Sequence, residues 1–300
     1  MKNTKIKGAL CALLSGSFYG IIPIILLNVS RSGDVPGTLC NMYRQFSGAL
    51  ILLVPALLRV RKLKLNGRLL FRLLWVALFY GLITATLYEG FARLPSGITI
   101  TLHYLYPLFT LLLSVLFLKQ KPPRGAVAAI ALAFAGVVLL CDLSLMPEHP
   151  ALGIAFAAVS GFLCAVWLLL VDRLKLGDVD RTVYTCASML GSGVTLFLYN
   201  LARGQLSASF TAPQWGSMFL AGICALFAVM LLAQGIRYAG SVIASVLSTM
   251  EPIVCTLGSA LILGDPLTPR MLLGVFLVLA GVVILTLLTD RESKKTEAVG

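Results

Sequence analysis

Runs of about 20 apolar residues recur along the chain, separated by short polar stretches that collect much of the Lys, Arg, Gly and Pro. A bilayer core takes about 20 residues of α-helix per crossing. Ten segments of that kind fit: 8–28, 37–58, 73–92, 97–118, 126–143, 151–171, 182–202, 215–235, 241–263 and 271–289. The first follows Lys2, Lys5 and Lys7, the charge order of a signal peptide. Its apolar stretch is too long for a signal core and nine further spans follow, so it is read as an uncleaved first helix. The expected fold class is an all-α membrane protein with ten transmembrane helices.

Composition narrows the picture in the same direction. Hydrophobic residues make up 59% of the chain and charged residues 12%, where soluble proteins carry roughly 25% charged residues. That balance excludes a soluble enzyme, a disordered chain and a secreted disulfide scaffold. The net charge of +12 does not imply nucleic acid, because the basic residues sit between apolar runs, where they set orientation. With the N-terminus in the cytoplasm, 19 of the 24 Lys and Arg fall inside and only Arg31, Arg93, Arg203 and Arg270 fall outside, Arg44 lying within a span. Both termini are therefore expected in the cytoplasm, and the protein in the bacterial inner (plasma) membrane. Cys11, Cys40, Cys141, Cys164, Cys186, Cys224 and Cys255 show no CxxC spacing and read as small buried hydrophobes. His103 and His149 have no Cys or His at metal-ligand spacing, so neither metal nor cofactor is expected. HExxH, GxSxG and GxxxxGK[ST] are all missing, which argues against a membrane enzyme and a nucleotide-driven pump.

A constant shift of 145 residues superposes the two halves of the sequence. Gly8 meets Gly153, Ser15-Gly16 meets Ser160-Gly161, Ser47-Gly48 meets Ser192-Gly193, Gly90 meets Gly235, Pro107 meets Pro252, and Ala135-Gly136-Val137-Val138 meets Ala280-Gly281-Val282-Val283. The chain thus reads as residues 1–145 and 146–289, two five-helix units, followed by a cytoplasmic tail at 290–300. Five crossings is an odd number, so the second unit enters from the opposite side and the repeat is inverted, as in many secondary transporters. The loops agree: 59–72 carries six basic residues and no acid, and its equivalent, 204–217, carries none.

These features resemble the drug/metabolite transporter superfamily, in its ten-helix branch with two EamA-like repeats. The resemblance covers residues 8–289 and rests on Tyr106-Pro107-Leu108-Phe109 and Glu251-Pro252-Ile253 in the fourth helix of each repeat, on the Ala-Gly-Val-Val endings, on Arg44, and on Leu263-Gly264-Asp265. That last turn has Asp where the family has Glu, and the first repeat reads Leu118-Lys119-Gln120 instead. Members of the family mostly export or exchange small metabolites, amino acids or drugs, and this is the substrate class the resemblance implies.

Ionisable groups within a bilayer cost about 2.5–3.5 kcal/mol each and mark function by default. Arg44, Glu89 and Glu251 lie within spans, with His103 as a fourth titratable group. Glu251 is ten residues into its span, near the midplane. Thr99, His103, Tyr106, Thr110 and Ser114 recur at helical spacing as one polar stripe, which the shift maps onto Ala244, Ser248, Glu251, Cys255 and Ser259. Tyr106 and Glu251 are equivalents, each preceding a proline, Pro107 or Pro252, that frees a backbone carbonyl one turn earlier. A central substrate site is expected from Glu251, Tyr106, His103 and Ser248. Trp167 and Tyr19 fit it as aromatics that stack on a ring or a cation. A lone Ser or Thr in such a helix also simply bonds its own i−4 carbonyl, and Trp167 fits lipid-facing packing equally well. Arg44 and Glu89 differ in depth by about 6 Å, close enough to pair as a structural ion pair, unless Glu89 simply snorkels to the interface; the functional alternative is an outer gate or an anion-binding group. Gly16-xxx-Gly20 and Pro23 in the first helix suit close packing and bending.

The function expected is secondary transport by alternating access, as exporter or exchanger, with Glu251 suited to a proton relay or to a cationic substrate. The alternative is a facilitator or uptake carrier for a sugar or similar solute. The partners are then a small-molecule substrate, protons and the lipid bilayer, with no nucleic acid; the sequence leaves the oligomeric state open.

Overall fold

The computed structural model describes residues 2–60, 67–119, 122, 124–140, 150–174, 179–206 and 209–299. Cys141, His149, Gln120 and part of the basic 59–72 loop lie outside the described residues. The described residues form twelve helices: α1 (Lys2–Gly33), α2 (Gly37–Val60), α3 (Gly67–Phe91), α4 (Ser96–His103), α5 (Tyr106–Leu118), α6 (Ala126–Leu140), α7 (Pro150–Arg173), α8 (Arg181–Ala202), α9 (Ala212–Ala239), α10 (Ser241–Ser248), α11 (Met250–Leu263) and α12 (Pro269–Val299). Among the described residues, nine helical stretches are long and apolar enough to cross a bilayer, with the shorter apolar α6 beside them. The chain is an all-α membrane protein. Its outer surface is apolar, with Leu261 at 86% exposure and Val127 at 80%, while Ser15, Asn41, Gln45 and Ser160 are fully buried. Lipid-facing helices carry this inverted pattern because polar groups must find partners inside the bundle.

The expected spans 97–118 and 241–263 each consist of two half-helices that meet at a short turn. The fourth is α4 and α5, broken at Tyr104–Leu105, and the ninth is α10 and α11, broken at Thr249. Pro107 sits in the first turn of α5 and Pro252 in that of α11. A proline ring there costs little, because first-turn N–H groups have no helical partner anyway. The prolines therefore start new half-helices rather than bending continuous ones. At the other end, α12 runs on to Val299 through the expected tail.

The inverted repeat is visible in the packing. A contact between residue i of the first half and residue j of the second returns as one between i+145 and j−145. A Cβ on Gly8 would strike Tyr238 and Ala239, and one on Gly153 would strike Arg93 and Leu94. Gly16 abuts Ser248 as Gly161 abuts His103, and Gly136 abuts Val278 as Gly281 abuts Ala133. Accordingly α1 packs on α9 and α3 on α7, while α2–α8 and α6–α12 pair across the pseudo-axis. The helices α5 and α11 even end alike, on left-handed residues Lys119 (φ 54°) and Gly264 (φ 70°), whose N–H groups donate to the carbonyls of Ser114 and Ser259.

One pair breaks this symmetry. The half-helices α4 and α11 pack against each other, so closely that a Cβ on Gly97 would lie 2.7 Å from Cγ2 of Thr256. Their counterparts α5 and α10 hardly touch and instead flank a cavity of about 340 Å³. That cavity runs from Tyr104 and Tyr106 to Thr289 and Asp290, toward the face on which α1 begins.

Candidate transport site

The two breaks bring the site together. Tyr104, at the break between α4 and α5, donates its hydroxyl to Oε2 of Glu251 at 2.8 Å and lies 3.0 Å from the Ser248 carbonyl oxygen. Both acceptors belong to the α10–α11 break, so one phenol ties the interrupted helix of the first repeat to that of the second. Helix α1 closes the third side, since a Cβ on Gly20 would lie 2.6 Å from the Glu251 carbonyl oxygen. Only glycine allows so close an approach.

Aromatic rings surround this carboxylate. His103, Tyr104 and Tyr106 are mutual neighbours, with ring centroids 5.6–6.3 Å apart. Tyr19, Tyr106, Cys164 and Cys255 lie within electrostatic reach of Glu251, and Tyr19 also lies within reach of Arg44 and Tyr80. Tyr80 in turn faces Trp167 at 5.8 Å. Among the described residues, no group of three or more His, Cys, Asp or Glu is placed to hold a metal ion.

The residues singled out from sequence have mixed positions. Glu251, Tyr106 and Tyr19 gather at the centre. Ser248 is present through its carbonyl; its hydroxyl bonds the Ala244 carbonyl at 2.8 Å, the local use open to any such serine. His103 Nδ1 meets Ser160 Oγ at 3.0 Å. That hydroxyl is already spent on the Ala157 carbonyl at 2.7 Å, so its lone pair accepts from Nδ1–H. Trp167 packs with Leu73 and Val76, and its buried Nε1 has no hydrogen-bond partner among the described residues.

The Arg44–Glu89 pair does not form. Glu89 accepts hydrogen bonds from Arg93, one turn on, and from the Tyr199 hydroxyl at 2.7 Å. Arg44 donates Nε–H to Asn41 Oδ1 at 2.8 Å. Arg93, four residues after Glu89 and in the turn that follows α3, reaches its carboxylate instead. Tyr104 was missed as the partner of Glu251 because it lies one position off the stripe that a continuous helix would make. Tyr80 carried no periodic signal at all.

On the face opposite the cavity mouth, Asp265 accepts from Arg31 at 2.8 Å and from the Ser96 N–H at 2.8 Å. It thereby pins the ends of α1 and α4 to the turn after α11. Burial pushes its carboxyl up, but the Arg31 and Ser96 hydrogen bonds and the Arg31 charge outweigh that and hold it below the ordinary carboxylate value. A group with a lowered pKa stabilises above its unfolded value, about 3.9, and loses that contribution as pH falls through the folded one. The latch should therefore hold throughout pH 5–8. Asp265→Asn should speed amide hydrogen exchange at Ser96 by about tenfold, the value of one charge-assisted bond; unchanged exchange would show that no latch exists.

Two segments of the chain, residues 6–141 and 151–287, match the EamA-like transporter family. The uncharacterized transporter YvbV of Bacillus subtilis is 28% identical over 86% of this chain and 84% of its own length. The aromatic amino acid exporter YddG of Salmonella typhimurium is 25% identical over 96% of this chain and 100% of its own length. Protein PecM of Dickeya dadantii is 26% identical over 73% of this chain and 75% of its own. A solved crystal structure aligns with 97% of this chain and 99% of its own, at a TM-score of 0.63 and 18% identity, and so shares the fold. With both repeats matched by the family and the whole length shared with named transporters, the chain belongs to the EamA-like transporter family of the drug/metabolite transporter superfamily.

Proposed function

We propose that this chain exports or exchanges amino-acid-like solutes by alternating access in the bacterial plasma membrane, with residues 1–145 and 146–289 as the rocking units. The observation that carries the reading is the Glu251 carboxylate, held by Tyr104 where both discontinuous helices break. It suits a solute amine, and the buried guanidinium of Arg44 suits a carboxylate. The rings of His103, Tyr104 and Tyr106 offer an apolar or aromatic body a place to stack. Similarity to proteins named as aromatic amino acid exporters supports this choice of solute.

Proton coupling follows from cost. An unpaired carboxylate at the midplane is expensive, so Glu251 exchanges the departing amine for a proton and remains compensated in both halves of the cycle. The direction follows from charge: the N-terminal face collects most of the Lys and Arg and is cytoplasmic by the positive-inside rule. The cavity opens there, where cytosolic solute is loaded. The test is efflux of labelled phenylalanine from proteoliposomes under an imposed pH gradient, together with resistance of overexpressing cells to toxic phenylalanine analogues. Efflux equal to that of protein-free liposomes would refute the reading.

A further inference from the structure

A second cavity, of about 620 Å³, lies on the outside of the bundle between α2, α8 and α9. Its inner part is apolar, with Ile51, Leu226 and Met230 among its walls, and its rim on the N-terminal face carries Arg59, Arg181 and Arg237. From Leu226 to Arg237 the wall of α9 rises about 16 Å, close to half the roughly 30 Å hydrocarbon thickness of a bilayer. An apolar trough one leaflet deep, ending in three guanidinium groups, matches an anionic phospholipid in length and complements it in charge. We propose that it is a binding site for an anionic phospholipid, whose phosphate sits among the three arginines and whose acyl chain fills the trough.

The charge is available to a ligand. Arg59 donates to the Thr182 hydroxyl and lies 3.5 Å from Asp180, while Arg237 lies 5.6 Å from the Tyr238 ring centroid. Arg181 makes no ion pair among the described residues. Among the described residues, three cations face one carboxylate, and that carboxylate also caps α8 by accepting from Thr182 and Val183 N–H. Arginine forks suit phosphate oxygens, and basic pockets between helix ends select anionic headgroups.

The fold alone does not require this chemistry. The inverted repeat builds an equivalent cavity in the other leaflet, which includes Pro36, Ala92, Glu89, Arg93 and Arg203. The shift of 145 places Pro36, Ala92 and Gly204 where the first cavity has Arg181, Arg237 and Arg59. The arginines that the second cavity does have are engaged, Arg93 by Glu89 and Arg203 by Tyr199. The first cavity joins a deep apolar wall to three arginines, whereas the second is lined by residues near the helix ends and holds two arginines that are already engaged.

The test uses the full chain in mild detergent, with retained lipid counted by native mass spectrometry after addition of dioleoylphosphatidylglycerol or dioleoylphosphatidylcholine. The anionic lipid should be retained preferentially. Arg181→Gln, which breaks no ion pair, should weaken that preference about fivefold, and the triple Gln variant at Arg59, Arg181 and Arg237 about 100-fold, from the usual worth of one cation near an anionic surface. Triple Lys replacement should restore most of it. Equal retention of the two lipids by the unmodified protein would overturn the proposal, and so would an undiminished preference in Arg181→Gln. Complete displacement of the lipid by excess inorganic phosphate would show a simple anion site instead. Lipid retention is read without transport, so its outcome is separate from that of the proposed export.

Discussion

Glu251→Gln should leave the bundle inserted and folded yet reduce pH-driven solute exchange about 10- to 100-fold. The amide keeps the shape of the side chain and an oxygen for the Tyr104 hydroxyl, now 2.8 Å away. What it loses is the charge that binds an amine and the site that carries a proton. Hydrogen bonds to charged groups contribute about 1.5–3 kcal/mol, which sets the size of the loss. Tyr104→Phe should be milder, about two- to tenfold, because one neutral donor disappears while the carboxylate remains. Proteoliposome exchange measured across pH 5–8 separates the two, since only the Gln variant should also lose its pH dependence. If Glu251→Gln exchanges solute at the unmodified rate over that range, the carboxylate is structural and the central site must be sought elsewhere.

The second large effect concerns folding. Gly136→Leu should abolish monodisperse protein, and so should Gly281→Leu at the equivalent position. A Cβ on Gly136 would lie 2.7 Å from both the carbonyl oxygen of Gly274 and the backbone nitrogen of Val278. These are backbone atoms of a facing helix, so no rotamer change relieves the clash. The helices α6 and α12 would have to separate, losing the contacts that hold the two repeats together at that seam. Overpacking by a few methylenes costs about 1–3 kcal/mol in a core whose side chains can yield, and more is expected where they cannot. Gly216→Leu is the control: a Cβ there meets nothing within 4 Å, and its size-exclusion profile should match that of the unmodified protein.

The spans and the repeat were legible because they rest on long apolar runs and on Gly and Pro positions that survive an ungapped shift. The breaks were not. Residues 97–118 are long enough and apolar enough for one continuous helix, and Pro107 announces an interruption without saying whether the chain bends or restarts. The restart moves Tyr104 onto Glu251 and takes His103 to Ser160, so the partners of the central carboxylate could not be read from periodicity. Glu89 teaches the opposite lesson. Its partner Arg93 was available from the i, i+4 rule alone, and an argument from depth passed over it for Arg44.

The close seam between α4 and α11 has no equal on the other side of the molecule. In the proposed cycle, opening toward the outside requires α5 to close on α10 as α4 now closes on α11. The residues equivalent to Gly97 and Thr256 are Val242 and Leu111, so the glycine that allows the close approach of α4 to α11 has no counterpart in the sequence of α10. A carrier with identical halves would divide its idle time evenly between the two compartments. This one is expected to be a biased coin: a difference of only about 1.4 kcal/mol between the two closures already gives a tenfold unequal dwell. The empty protein then waits on the side where solute is gathered and visits the other only briefly, which acts as a rectifier on a machine whose architecture is otherwise reversible.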